Sequence, residues 1–215
     1  MDNGLLNRKF KYTFSNATYV ILGLNLMVFF MVYLLNIRIG GTPLGYWLSL
    51  IPSFVDRGYV WQFLTYMFMH GSWSHLFFNM FGLVMFGLIL ERELGTKEFL
   101  CYYFVCGILS GIFSYIVYKL TGVNPILMGA SGALYALLLL FAVLFPTAQV
   151  RLFFFIPMKA PVAVLVFFAI ELISEFTGLN VNLAHMTHLA GLLFGYLYCL
   201  IRLKINPFSV WRKML

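Results

Sequence analysis

Long apolar stretches dominate the chain. Candidate spans cover Ala17–Ile37, Trp73–Leu90, Phe99–Tyr118, Met128–Phe145, Ala160–Phe176 and Ala184–Ile201. In each, apolar residues continue right round the helix instead of forming one stripe, as expected of a helix embedded in lipid. Breakers punctuate the runs: Ile39-Gly40-Gly41-Thr42-Pro43 after the first span, Glu91-Arg92-Glu93-Leu94-Gly95 after the second, Thr121-Gly122-Val123-Asn124-Pro125 before the fourth, and Pro146 at its end. No internal repeat is visible. The pattern predicts an all-α polytopic membrane protein, a bundle of six transmembrane helices over residues 17–204. A short arm (1–16) precedes it and a basic tail (205–215) follows.

Composition narrows the class. Apolar residues make up 62% of the 215 and charged residues 10%, where a soluble domain carries roughly 25% charge. Mean hydropathy is +0.92. A water-exposed globule of this size has too much surface to hide that much hydrocarbon. This excludes a soluble enzyme, a disordered chain and a secreted disulfide scaffold. Six spans of about 20 residues leave no room for a separate soluble domain. Cys101, Cys106 and Cys199 lie inside apolar runs and form no CxxC, so they read as buried apolar residues. The first span is too long for a signal peptide and lacks a cleavage site.

The net charge of +7 is explained by topology. With the N-terminus in the cytoplasm, the inside carries Arg8, Lys9, Lys11, Arg92, Lys97, Arg151, Lys159, Arg202, Lys204, Arg212 and Lys213. The outside carries Arg38, Arg57 and Lys119. This asymmetry orients the chain and, with an even number of spans, puts both termini inside. Basic residues then meet anionic lipid, and nucleic acid is not an expected partner. The 38–72 loop lies outside but holds Tyr46, Trp47, Phe54, Tyr59 and Trp61. Such a loop is expected to lie within the outer leaflet. With no transit peptide visible, a bacterial or archaeal plasma membrane is the expected location.

Polar side chains within hydrocarbon need a reason. The notable ones are His70, His75, Asn79, Ser131, His185 and His188. Spans 2, 4 and 6 all start at the outer face, so His75 and Asn79, Ser131, and His188 converge on one layer. Gly129-Ala130-Ser131-Gly132 reads either as a small-residue packing face or as a nucleophile at a helix start, where free backbone N–H groups favour an oxyanion. His188 shares a helical face with Gly191 and Gly195. Span 4 offers Gly132 and Ala136 in return, so His188 can reach Ser131 as its base. Otherwise His188 is a structural histidine. His75 and Asn79, four residues apart, are either interhelical glue or oxyanion donors. His70 reads as a loop anchor, and His185 is expected to meet water or interfacial groups. Glu171 lies toward the outer end of span 5, and no carboxylate is expected near the site layer. The expectation is therefore a Ser-His dyad.

Competing chemistries are excluded by their residue needs. HExxH is absent, the only aspartates are Asp2 and Asp56, and no GxSxG elbow occurs. A transporter would call for intramembrane acid pairs and inverted repeats. A non-catalytic scaffold or chaperone binding transmembrane clients stays open as a rival.

From Trp61 through Gly195 the chain resembles the rhomboid family of intramembrane serine proteases. The resemblance rests on HGSWSHLFFN at 70–79, GASG at 129–132 with Tyr135 following, HLAGLLFG at 188–195, and Glu93-Leu94-Gly95, all in family order. It implies a rhomboid-like six-helix core opening to the extracytoplasmic side. It implies Ser131 as nucleophile and His188 as base, with Tyr135 stacked on the imidazole. The oxyanion hole would be His75, Asn79 and the Ser131 backbone N–H. Gly129, Gly132, Gly191, Gly195 and His70 would support it. Substrates would be transmembrane proteins cut near the outer end of a helix, with no metal or cofactor. Gln62 stands where the family often has arginine, and Thr187 where it often has alanine. The first departure touches loop anchoring, and neither touches the chemistry.

Overall fold

The computed structural model describes residues 10–152, 155–177 and 185–212. Arg8, Lys9 and Lys213, used in the charge count, and Ala184, where span 6 was expected to begin, lie outside them. Six principal helices form the bundle: α1 (Ala17–Leu34), α2 (Trp73–Leu94), α3 (Thr96–Thr121), α4 (Ser131–Leu144), α5 (Ala160–Thr177) and α6 (His185–Leu203). By length and composition α1, α2, α3 and α6 suit a membrane span. The chain is thus a multi-pass helical membrane protein.

The fourth helix differs from its expected span. It begins at Ser131 instead of Met128 and has 14 residues. At 1.5 Å per residue it measures about 21 Å, short of the roughly 30 Å hydrocarbon thickness. It can be short because it is the centre of the bundle. From Ala136 through Val143 every residue is buried, and α3, α5 and α6 pack around it. A helix surrounded by helices need not span the lipid itself, so its N-terminus can sit beneath the level of its neighbours' ends.

The closest packing joins α4 to α6. A Cβ on Gly191 would stand 2.1 Å from the Gly132 carbonyl oxygen, and one on Gly195 would stand 3.1 Å from the Ala136 Cα. The two backbones touch, as small-residue faces in membranes allow. Thr187, one turn earlier, is fully buried and its hydroxyl lies 2.6 Å from that of Ser114 on α3. The residue that departs from the family pattern is therefore a polar clasp between α3 and α6.

The buried carboxylates away from Ser131 are satisfied by helix ends and by one arginine. Glu91 accepts hydrogen bonds from the backbone N–H groups of Ala17 (2.7 Å) and Thr18 (2.9 Å), and from the hydroxyls of Thr18 and Thr96. It caps the first turn of α1, where orphan N–H groups favour an anion. Glu98 receives Nε and Nη2 of Arg202 at 3.0 and 2.9 Å, together with the Tyr198 hydroxyl. Past α6, a short helix (Pro207–Arg212) returns to the bundle, and Trp211 donates to the Ala142 carbonyl near the end of α4.

The 38–72 loop is ordered by its own hydrogen bonds. Arg38–Ile39 pairs with Thr42–Pro43 across Gly40 and Gly41, both at positive φ as a two-residue hairpin turn requires. Gln62, fully buried, is its central tie. Its side-chain oxygen accepts from the Ile51 N–H, and its amide donates to the Tyr46 and Trp47 carbonyls. A neutral amide thus does the anchoring at the position where an arginine was the family's usual choice. A further hairpin, unmarked in the sequence pattern, joins α4 to α5, with Gln149–Leu152 antiparallel to Ile156–Lys159.

His70, in the loop just ahead of α2, is almost wholly buried, with its ring edge-on to His75 at 5.0 Å. Burial, helped by the neighbouring His75, pushes its pKa down to about 4. The unfolded chain therefore binds an extra proton here between that value and about 6.5. The stability contributed by neutral His70 is complete above this window and is lost as pH falls through it.

Two outcomes follow. Gly191→Ala lowers the unfolding temperature in detergent, since overpacking of this kind costs roughly 1–3 kcal/mol. Gly23→Ala, at a lipid-facing position with nothing within 4 Å, does not. His70→Phe reduces the slope of unfolding temperature against pH between about 4 and 6.5, the interval in which wild-type His70 binds a proton on unfolding.

Candidate active site

The site forms where the starts of α2, α4 and α6 meet the far end of α5. Ser131 opens α4. Gly129 turns the chain into it at φ 120°, a conformation natural only to glycine. A Cβ there would also lie 2.8 Å from His75 Nε2, so the glycine lets the imidazole close against the backbone. The Gly129 N–H is tied to the Tyr66 carbonyl at 2.9 Å, and the Leu50–Leu127 bridge joins the 38–72 loop to the segment before α4.

His188 Nε2 lies 2.8 Å from Ser131 Oγ. This pairing is set by the α4–α6 contact, because His188 is one turn before Gly191, on the face that meets Gly132. The Tyr135 ring stacks on the imidazole at 4.5 Å between centroids and 7° between planes. Tyr135 is one turn after Ser131 on α4, so the stack follows from helix geometry.

The other imidazole nitrogen corrects the sequence expectation. His188 Nδ1 lies 2.9 Å from Glu171 Oε1. A carboxylate does reach the site layer, since α5 carries Glu171 inward, 5% exposed. The Tyr135 hydroxyl also donates to Glu171 Oε1. His185, expected to meet water or interfacial groups, instead places Nδ1 2.5 Å from Glu171 Oε2. Sequence reasoning missed both because pairing between α5 and α6 leaves no spacing signal. The sole clue was an acidic residue in an apolar run, FFAIELI.

His75 and Asn79 flank Ser131 on α2. Ser72 caps that helix, accepting the His75 N–H. The Asn79 amide donates to the His75 carbonyl at 2.8 Å, which leaves its second N–H available. Two cavities meet at Ser131. One, about 460 Å³, is apolar and runs between α2, α4 and α5, past Phe78, Asn79, Phe81, Leu134, Tyr135 and Phe167. The other, about 680 Å³, is more polar, lined by Ser72, Ser74, His75, His185, His188 and residues 125–128 ahead of α4.

Among the described residues, Glu171, His185 and His188 have ligand atoms within 4.8 Å of one another. Three such donors are a chemically suitable set for a metal. Here His188 is engaged on both nitrogens, one by Glu171 and one by Ser131.

Comparison with known proteins agrees with this architecture. The family model for the Rhomboid domain matches residues 57–205. The chain is 32% identical over 145 residues to the putative rhomboid protease YdcA of Bacillus subtilis, covering 66% of this chain and 67% of that one. It is 28% identical over 139 residues to the rhomboid protease GlpG of Salmonella newport, covering 64% of this chain and 49% of the relative. The chain therefore spans about half the length of the GlpG relatives it matches. With a family match over more than half its length on a six-helix bundle, the chain belongs to the rhomboid family.

Proposed function

We propose that the chain is an intramembrane serine endopeptidase that cuts transmembrane proteins near the extracytoplasmic end of their helix. The carrying observation is the 2.8 Å pairing of Ser131 Oγ with His188 Nε2 where an apolar cleft meets a polar vestibule. The cleft suits an unwound apolar segment, and the vestibule suits the water that hydrolysis consumes.

In this reading Ser131 Oγ attacks the scissile carbonyl carbon while its proton passes to His188 Nε2. The resulting oxyanion is held by the Ser131 backbone N–H at the start of α4, the second Asn79 N–H, and His75. The C–N bond breaks as His188 returns the proton to the leaving amine. Water, deprotonated by the same imidazole, then releases the acyl group. The excess of basic residues on one side supports cytoplasmic termini and an extracytoplasmic site.

Purified protein is expected to react with a fluorophosphonate at Ser131 and to cleave a reporter transmembrane substrate in proteoliposomes. Ser131→Ala and His188→Ala should each lower kcat by about a million-fold, with the double variant no worse than either, as for residues that act as a unit. Unlabelled wild-type protein, or a Ser131→Ala variant that still cleaves, would leave a non-catalytic client-binding scaffold as the better account. Asn79→Ala should slow cleavage by on the order of 10²–10³, the effect of removing one oxyanion donor. An unchanged rate would return Asn79 to a packing role.

A further inference from the structure

Glu171 is an ionisable side chain within an apolar helix, and such a placement is costly unless the charge is compensated. Its two oxygens face three donors from two other helices. Oε1 receives His188 Nδ1 at 2.9 Å and the Tyr135 hydroxyl, and Oε2 lies 2.5 Å from His185 Nδ1. Both His188 nitrogens are thereby committed, one to the carboxylate and one to Ser131.

The arrangement has a chemical consequence. An imidazole acts as a base toward serine only if Nε2 is unprotonated, which requires the proton on Nδ1. A carboxylate at Nδ1 selects that tautomer and holds the ring plane, and Tyr135 stacks on the same ring. When Ser131 attacks, its proton moves to Nε2 and the ring becomes cationic. That charge exists in the transition state and not in the resting site, so an adjacent anion stabilises the former selectively. The carboxylate stays ionised throughout, and the proton leaves on the amine of the departing peptide.

We infer that Glu171 is a positioning residue for His188, extending the Ser131–His188 pair to a Ser131–His188–Glu171 relay whose carboxylate is braced by Tyr135 and His185. This rests on the serine endopeptidase reading of the site. The competing role for Glu171 is a tether that merely fastens α5 to α6.

Glu171→Gln and Glu171→Asp separate these roles. Gln keeps the shape and removes the charge, and Asp keeps the charge one methylene further away. The relay predicts that Gln lowers kcat and the fluorophosphonate labelling rate of Ser131 by on the order of 10²–10⁴, the upper end being the effect of losing a triad carboxylate's tautomer control. KM should be unchanged, and Asp should recover part of the rate. A tether predicts a lower unfolding temperature with wild-type kcat and labelling rate per folded molecule, and that result overturns the inference. If the Gln variant does not fold, Asp carries the test, because wild-type labelling by it would be equally fatal. The wild-type protein tests the underlying reading separately. If it neither labels nor cleaves, the endopeptidase reading fails. If it does both and the Glu171 variants match it, only the relay fails.

Discussion

The backbone contact between Gly191 and Gly132 is the constraint on which the rest of the site depends. A separation that leaves no room for a Cβ brings α6 onto the first turn of α4. Once those axes are that close, a histidine one turn before Gly191 has little choice but to face the serine beside Gly132. The 2.8 Å pairing of His188 with Ser131 is thus a product of helix packing. Gly195 against Ala136 and Thr187 against Ser114 hold the same register from either side.

The second constraint is the shortness of α4. Fourteen residues, ten of them buried, make a helix about two thirds of the hydrocarbon thickness. Its neighbours pack against lipid on its behalf. Its N-terminus can therefore end below theirs, and the polar vestibule opens at Ser131, its first residue. The free N–H groups at that end face a cavity, the circumstance in which unpaired backbone polar groups are tolerated at membrane depth. The 38–72 loop closes over this region and is held by Gln62 and by the Leu50–Leu127 bridge.

Three carboxylates inside the bundle follow one rule, that each charge is shared among several partners. Glu91 gathers the first turn of α1 with Thr96, Glu98 gathers Arg202 and Tyr198, and Glu171 gathers His185, His188 and Tyr135. In hydrocarbon an ion with one partner is poorly compensated. The first two carboxylates close helix junctions. The third does the same for α5 and α6 while touching the imidazole beside Ser131, so one side chain can serve packing and chemistry together.

The amino-acid sequence by itself determined the membrane class, the six apolar runs and their order. It also singled out the layer in which His75, Asn79, Ser131 and His188 meet. These were legible because hydrophobicity and helical period are local properties, and alternating span direction brings helix starts to one face. The phase of His188 with Gly191 and Gly195 was legible for the same reason. Only the tertiary structure decided that α4 is short and central, that Gln62 ties the loop, that Gln149–Leu152 pairs with Ile156–Lys159, and that Glu171 and His185 belong to the site. Each of these depends on a side chain or strand meeting a partner on another element. The rotation of α5 about its axis is set by packing against α4 and α6, and no spacing within α5 records which way Glu171 will point.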